Sequence, residues 1–88
     1  MIDTNIYILK LKTNTGELYR VINFDDVYEI GYYRTIDNRI YYYVKSHNCE
    51  KFNSNGINPN DESSSEYLKA WKELLIKYRK YIKERFHE

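Results

Sequence analysis

One apolar stripe near the end of the chain constrains the fold more than any other feature. Large apolar side chains recur at three- and four-residue spacing after Ser63, and no glycine or proline interrupts them up to Phe86. The stripe consists of Leu68, Trp71, Leu75, Tyr78 and Ile82, with Leu74 widening it. This period is that of an amphipathic α-helix, and Ser63 with Glu66 matches a capping box. The sequence therefore predicts a C-terminal helix over 63–88, with Trp71 buried.

The first 45 residues alternate between apolar and polar side chains with the two-residue period of β-strands. In the first strand, Tyr7, Leu9 and Leu11 share one face, while Lys10 and Lys12 lie on the other. The predicted strands cover 6–12, 17–23, 27–34 and 39–45. Short turns separate them, which favours two hairpins in an antiparallel meander.

Glycine, asparagine and aspartate mark the turns and irregular positions of this β region. Gly16 and the Asp37-Asn38 pair supply residues that tolerate a positive φ in tight turns. Gly31 lies inside the third strand, where a glycine predicts a bulge or a bend.

Residues 46–62 predict a long, asparagine-rich loop that also contains Gly56 and Pro59. Phe52 and Ile57 are the side chains that would anchor it. The cost of closing a loop grows only with the logarithm of its length. The sequence therefore predicts that a short Gly/Ser linker can replace 53–60 with little change in stability.

These elements predict one α+β domain over residues 1–88. The expected architecture is a four-stranded antiparallel β-meander of two hairpins, over 1–45, covered on one face by the C-terminal amphipathic helix. The order of four strands followed by a helix resembles that of pleckstrin-homology-like domains. The resemblance implies no function, because one fold hosts many functions.

Charge is divided unevenly along the chain and suggests a binding partner. The formal net charge is +1, yet seven of the 14 basic residues lie in the last 24 positions. Residues 1–64 carry about −2 and the helix about +3. Lys77, Arg79, Lys80 and Lys83 are the candidate binding residues on the helix. Four interpretations stay open for them: a solvated face, an acidic protein surface, nucleic acid or a membrane surface.

Tyrosine accounts for 11 of the 88 residues, and several lie on the predicted sheet. Tyrosine is enriched at interfaces because its ring packs while its hydroxyl bonds to water or protein. If the helix covers one face of the sheet, the other face presents rings to solvent. We therefore expect Tyr33 and Tyr42 to be candidate binding residues. The alternatives are cross-strand packing and base stacking.

No residue pattern points to catalysis, a cofactor or a metal. Cys49 has only His47 nearby in sequence, and His87 is remote. These three residues are too few and too scattered for the four ligands of a structural zinc site. Asp25, Asp26 and Glu29 lack the additional carboxylates that a cation site would need. We therefore expect a protein that is not an enzyme, with no metal and no cofactor, in which Cys49 is functionally silent.

The chain carries no pattern typical of export or membrane insertion. It has a single cysteine, no signal-peptide pattern and no apolar run near the ~18 residues of a transmembrane helix. We expect a cytoplasmic protein without a membrane partner.

The functional expectation is a small protein-binding module. Its size and composition are typical of a phage or mobile-element inhibitor that occludes a host factor, for instance a defence nuclease. The alternative is a nucleic-acid-binding or regulatory domain that uses the basic helix. A third hypothesis is a structural homodimer.

Overall fold

The alternating and helical patterns of the sequence become two β-hairpins and one long helix. The computed structural model describes residues 5–13, 15–47 and 52–85. The elements are β1 (Ile6–Thr13), β2 (Gly16–Asn23), β3 (Val27–Arg34), β4 (Ile40–Ser46), β5 (Phe52–Asn53), a 3-10 turn (Glu62–Ser64) and α1 (Ser65–Arg85). The predicted α+β class is confirmed.

The first hairpin pairs β1 with β2 in continuous antiparallel register, from Ile6 opposite Asn23 to Thr13 opposite Gly16. Gly16 has a φ of 136°, which an L side chain rarely adopts. Leu9 and Leu11 are buried on the inner face, as their alternation predicts.

The second hairpin pairs β3 with β4 through a turn in which Asn38 has a φ of 65°. The irregularity in this pair lies between Val27 and Glu29, not at Gly31 as the sequence suggested. Gly31 stays in register opposite Tyr43, and a Cβ built on Gly31 would lie 2.6 Å from the Tyr43 hydroxyl. The glycine therefore makes room for a cross-strand ring.

The two hairpins form separate sheets instead of one four-stranded sheet. β1 and β2 make a two-stranded sheet, and β3, β4 and β5 make a three-stranded sheet. The two sheets and α1 share one core of buried side chains. The expected cover of the strands by the C-terminal helix is present, with α1 packing mainly on β1 and also on β3.

The segment predicted as a long loop is in part a component of the core. Its short strand β5 pairs with β4, and Ile57 exchanges two backbone hydrogen bonds of 2.9 Å with Ile40. Ile57 is only 1% exposed, and Ser54 is buried with its Oγ accepting a 2.8 Å hydrogen bond from the Tyr42 N–H. These contacts argue against the prediction that 53–60 is dispensable for folding.

The helix starts two residues later than its sequence signal, and its cap differs. Asp61 caps the 3-10 turn: its Oδ1 accepts from the Ser63 N–H at 3.0 Å and from the Ser63 Oγ at 2.8 Å. Both hydrogen bonds hold the pKa of Asp61 below its usual value, and the bond from the Ser63 hydroxyl has the larger effect on it. The predicted capping box of Ser63 with Glu66 is therefore replaced by an aspartate cap.

The apolar stripe of α1 faces the strands, as its period predicts. Trp71, Leu74, Leu75 and Tyr78 are buried, while Leu68 and Ile82 pack at the margin of the core. Trp71 is 1% exposed, which confirms its predicted burial.

Candidate binding surfaces

The four candidate basic residues of α1 do not share one face. Successive helical residues are rotated by about 100°, so Lys77 and Arg79 point roughly 160° apart. Lys77 and Lys80 line a groove with Ile6 and Tyr7 at the start of the first hairpin. Arg79 lies on the other flank, where its charge acts on the hydroxyl of Tyr42. The four exposed cations are therefore spread over about 160° of the helix surface and do not form one narrow stripe.

One flank of α1, which we call the basic stripe, has four cations and no acid among its own residues, although Glu73 lies four residues after Lys69. It consists of Lys69, Lys72, Ile76, Arg79 and Lys83, spaced by three, four, three and four residues. All five are exposed, and they fall within about 80° of arc. Among the described residues, no carboxylate lies within 4.0 Å of these four cations. Lys69 and Lys72 also line a groove with Asn58, Pro59 and Asp61, so a carboxylate lies at the loop end of the stripe.

The neighbouring flank, which we call the mixed flank, carries charges of both signs. It consists of Glu73, Lys77, Lys80 and Glu84, in which each lysine has a glutamate four residues away. Burial raises the pKa of Tyr7, and the nearby charge of Glu73 raises it further, which places that glutamate beside β1. Two of the predicted binding residues therefore lie where neighbouring acids offset their charge.

The tyrosines that interleave with these cations in sequence are occupied by the core. Tyr78 is 5% exposed and donates a 3.2 Å hydrogen bond to the Val27 carbonyl oxygen. Tyr81 is half-buried and donates to the Asp25 carboxylate, which also forms an ion pair with Arg85 at 3.8 Å. That hydrogen bond is the main reason the pKa of Tyr81 is raised. Neither ring is free to stack on a base.

Tyr42 is not on an exposed face, and its proposed role as an exposed binding residue is wrong. It is 3% exposed and faces the helix, because the side chains of β4 alternate and α1 covers the side that carries Ile40, Tyr42 and Val44. Burial raises the pKa of its hydroxyl, and Tyr32 beside it adds to the effect.

Tyr33 lies on the opposite, outer face of the β3–β4 pair and is 54% exposed. It stacks on Tyr41 across the strands with ring centroids 5.3 Å apart. Tyr43 continues the row and donates a 2.7 Å hydrogen bond to Glu29, whose pKa this bond lowers. Tyr33 is therefore the exposed end of a row of packed rings, and it lies away from the basic stripe.

The outer face of the first hairpin is an apolar surface that the sequence analysis missed. The exposed fractions are 41% for Ile6, 57% for Ile8, 55% for Tyr19 and 70% for Val21. A signal was present in the sequence: β1 begins with four successive apolar residues, so both of its faces are apolar there. The alternation of apolar and polar residues predicted only the inner, buried face.

The residues weighed for metal binding do not form a metal-binding group in the part of the chain that the structure describes. No group of three or more His, Cys, Asp or Glu among the described residues is placed to hold a metal ion. His47 packs on the ring of Tyr28, with centroids 4.8 Å apart. Cys49 and His87 lie outside the described residues.

Comparisons with protein-family models, with curated proteins and with solved structures found no match. Across the described ranges, no helix has both the length and the apolar character that crossing a membrane requires.

Proposed function

We propose that this protein is a non-enzymatic binding module whose basic stripe holds an acidic surface of a partner protein. The observation that carries the proposal is the uniform sign of the stripe, in which four cations occupy one helix flank without an acid. A cluster of one sign attracts an oppositely charged partner and speeds its association. The mixed flank of the same helix lacks this property.

Ile76 favours a protein over a nucleic acid as the partner. It is 62% exposed and lies in the middle of the stripe, with cations on both sides along the helix. Protein interfaces combine an apolar centre with a charged rim. A phosphate backbone offers no apolar group to match this isoleucine.

The nucleic-acid alternative loses the stacking contacts that the sequence suggested. Proteins that bind single strands use aromatic rings on which bases stack. Tyr78 and Tyr81 are instead packed in or beside the core and hydrogen-bonded within the chain. The net charge of +1 is also low for a nucleic-acid-binding domain.

For the biological role, we propose an inhibitor of phage or mobile-element origin that acts in the cytoplasm by occluding a host defence factor. Occlusion needs a complementary surface and no catalytic residues, and a chain of 88 residues is large enough to present one. Capture of a host defence protein from nuclease-treated lysate would support this role, and capture that depends on intact nucleic acid would contradict it.

Two matched variants test which flank binds. Arg79→Glu with Lys83→Glu reverses two cations of the basic stripe. Lys77→Glu with Lys80→Glu reverses two cations of the mixed flank, so each pair changes the net charge by the same amount. We expect the first pair to slow association with the captured partner by about tenfold or more, and the second to have a much smaller effect. Far-UV circular dichroism checks that both remain helical.

A direct nucleic-acid measurement separates the two hypotheses. The wild-type chain is titrated with generic duplex and single-stranded DNA at about 150 mM salt, where phosphate contacts are strongly weakened. We expect no binding at micromolar concentrations. Micromolar or tighter binding, lost in the Arg79→Glu, Lys83→Glu variant, would assign the basic stripe to nucleic acid instead.

A further inference from the structure

The outer face of the first hairpin exposes a continuous apolar patch that nothing within the described chain covers. Ile6 and Ile8 on β1 and Tyr19 and Val21 on β2 point to the same side. Single exposed apolar residues are normal, but a contiguous patch on a sheet marks an interaction surface. We propose that this face binds the same face of a second copy, which makes the protein a homodimer.

The cross-strand register makes the face complementary to itself. Ile8 lies opposite Val21, Lys10 opposite Tyr19, and Lys12 opposite Glu17. A two-fold axis that runs parallel to the strands, midway between them, lays β1 of one copy over β2 of the other in the same register. Two sheets stacked in this way have nearly aligned strands, as in β-sandwiches.

Each side chain then meets a suitable partner. Ile8 packs on Val21 of the second copy, Lys10 lies over the ring of Tyr19 of the second copy, and Lys12 faces Glu17 of the second copy. The Lys10 ammonium already lies 5.6 Å from the Tyr19 ring centre within one chain. Because the interface is isologous, each of these contacts occurs twice.

The size of the patch predicts a moderate affinity. Its four apolar side chains supply on the order of half of the ~800 Å² that each partner contributes to a standard interface. Lys10, Lys12 and Glu17 supply a polar rim. The helix packs on the inner side of β1, so both basic stripes stay exposed in the dimer and the dimer does not depend on the proposed partner binding.

Sedimentation velocity over about 1 µM to 1 mM tests the proposal with apolar-to-charged variants. We expect the wild-type chain to form dimers in this range. Ile8→Lys places a lysine against Val21 of the second copy, and Val21→Lys places a lysine against Ile8 of the second copy. Each variant buries an unpaired charge in the dimer and should weaken self-association by at least about tenfold. Ile36→Lys is the control, because Ile36 is a fully exposed isoleucine at the tip of the other hairpin. It should leave the dimer unchanged.

A charge swap tests the register. Lys12→Glu alone and Glu17→Lys alone each place like charges across the interface and also across the hairpin, where the two residues lie opposite each other. Each single variant should weaken the dimer while its circular dichroism and thermal midpoint stay close to those of the wild type, and the double swap should restore the dimer. A wild-type chain that stays monomeric throughout, or a double swap that restores nothing, would overturn the proposal. Loss of a different captured protein in Val21→Lys, with a monomeric wild type, would assign this face to that protein.

Discussion

The ring of Tyr42 stacks on the indole of Trp71, with ring centroids 5.8 Å apart and planes inclined by 19°. Tyr42 lies in the middle of β4 and Trp71 in α1, so this contact joins the three-stranded sheet to the helix. Phe52 of β5 and Tyr67 of α1 pack on the same indole. The contact explains why Tyr42 is unavailable to a partner, and the four packed rings predict that the stability of the domain depends on Trp71.

Trp71→Ala should abolish folding at 37 °C. Truncating a large buried aromatic side chain costs about 3–5 kcal/mol, against a total of about 5 kcal/mol for a domain this small. Trp71→Phe should cost less, because the buried indole Nε1 donates no hydrogen bond within the described residues. Urea denaturation of both variants measures the difference. A wild-type fluorescence maximum typical of water-exposed tryptophan would contradict this packing.

Tyr42→Ala should destabilise the fold much more than Tyr33→Ala, because Tyr42 is a core residue and Tyr33 a surface residue on the neighbouring strand. Tyr42 is 3% exposed, so its truncation should cost about 3–5 kcal/mol, as for other large aromatics. Tyr33 is 54% exposed and loses mainly its stack on Tyr41, which is worth about 0.5–1.5 kcal/mol. Chemical denaturation compares them. Equal destabilisation by the two substitutions would mean that the helix does not cover the face of the sheet that carries Tyr42.

Ile57→Ala should destabilise the fold although it lies in a segment predicted as a loop. Ile57 is 1% exposed, and truncating a buried isoleucine costs about 2–5 kcal/mol. Ile36→Ala is the matched control, since its side chain is fully exposed and such substitutions change stability by only about 0.5 kcal/mol. Thermal unfolding of both variants checks the contrast. Equal midpoints would show that the Ile57 side chain does not stabilise the core.

Local periodicity was sufficient to predict the elements with short-range signals. The four strands, the helix and the burial of Trp71 follow from spacings of two and of three to four residues. Turn chemistry predicted a positive φ at both Asp37 and Asn38, and only Asn38 adopts one.

Features that depend on distant contacts could not be predicted in this way. The bridge between Ile57 and Ile40 joins positions 17 residues apart and has no local signature. Tyr42 and Tyr33 look alike in sequence, and only the position of α1 decides which face of the sheet is covered. The separation of Lys77 from Arg79 was predictable, because the helical period applies to cations as it does to apolar residues.

The buried tyrosines should make the fold sensitive to alkali. Burial is the main cause that raises the pKa values of Tyr7, Tyr42 and Tyr78 above their ordinary value of 10.0. An unfolded chain therefore loses these protons at lower pH than the folded chain does. The contribution of these three tyrosines to folding stability is fully present below about pH 10. It is lost as the pH rises through their folded-state pKa values.

We expect this loss to coincide with unfolding, so that helical circular dichroism is lost over the same pH range, above about pH 10, in which the last part of the tyrosinate absorbance near 295 nm appears. Tyr78→Phe provides the control. It removes the hydrogen bond to the Val27 carbonyl oxygen, which costs about 1 kcal/mol at neutral pH. It also removes one group that must ionise on unfolding, so stability should fall less steeply with pH than in the wild type. An unchanged slope in this variant would show that the Tyr78 hydroxyl titrates equally in both states and is not buried against β3.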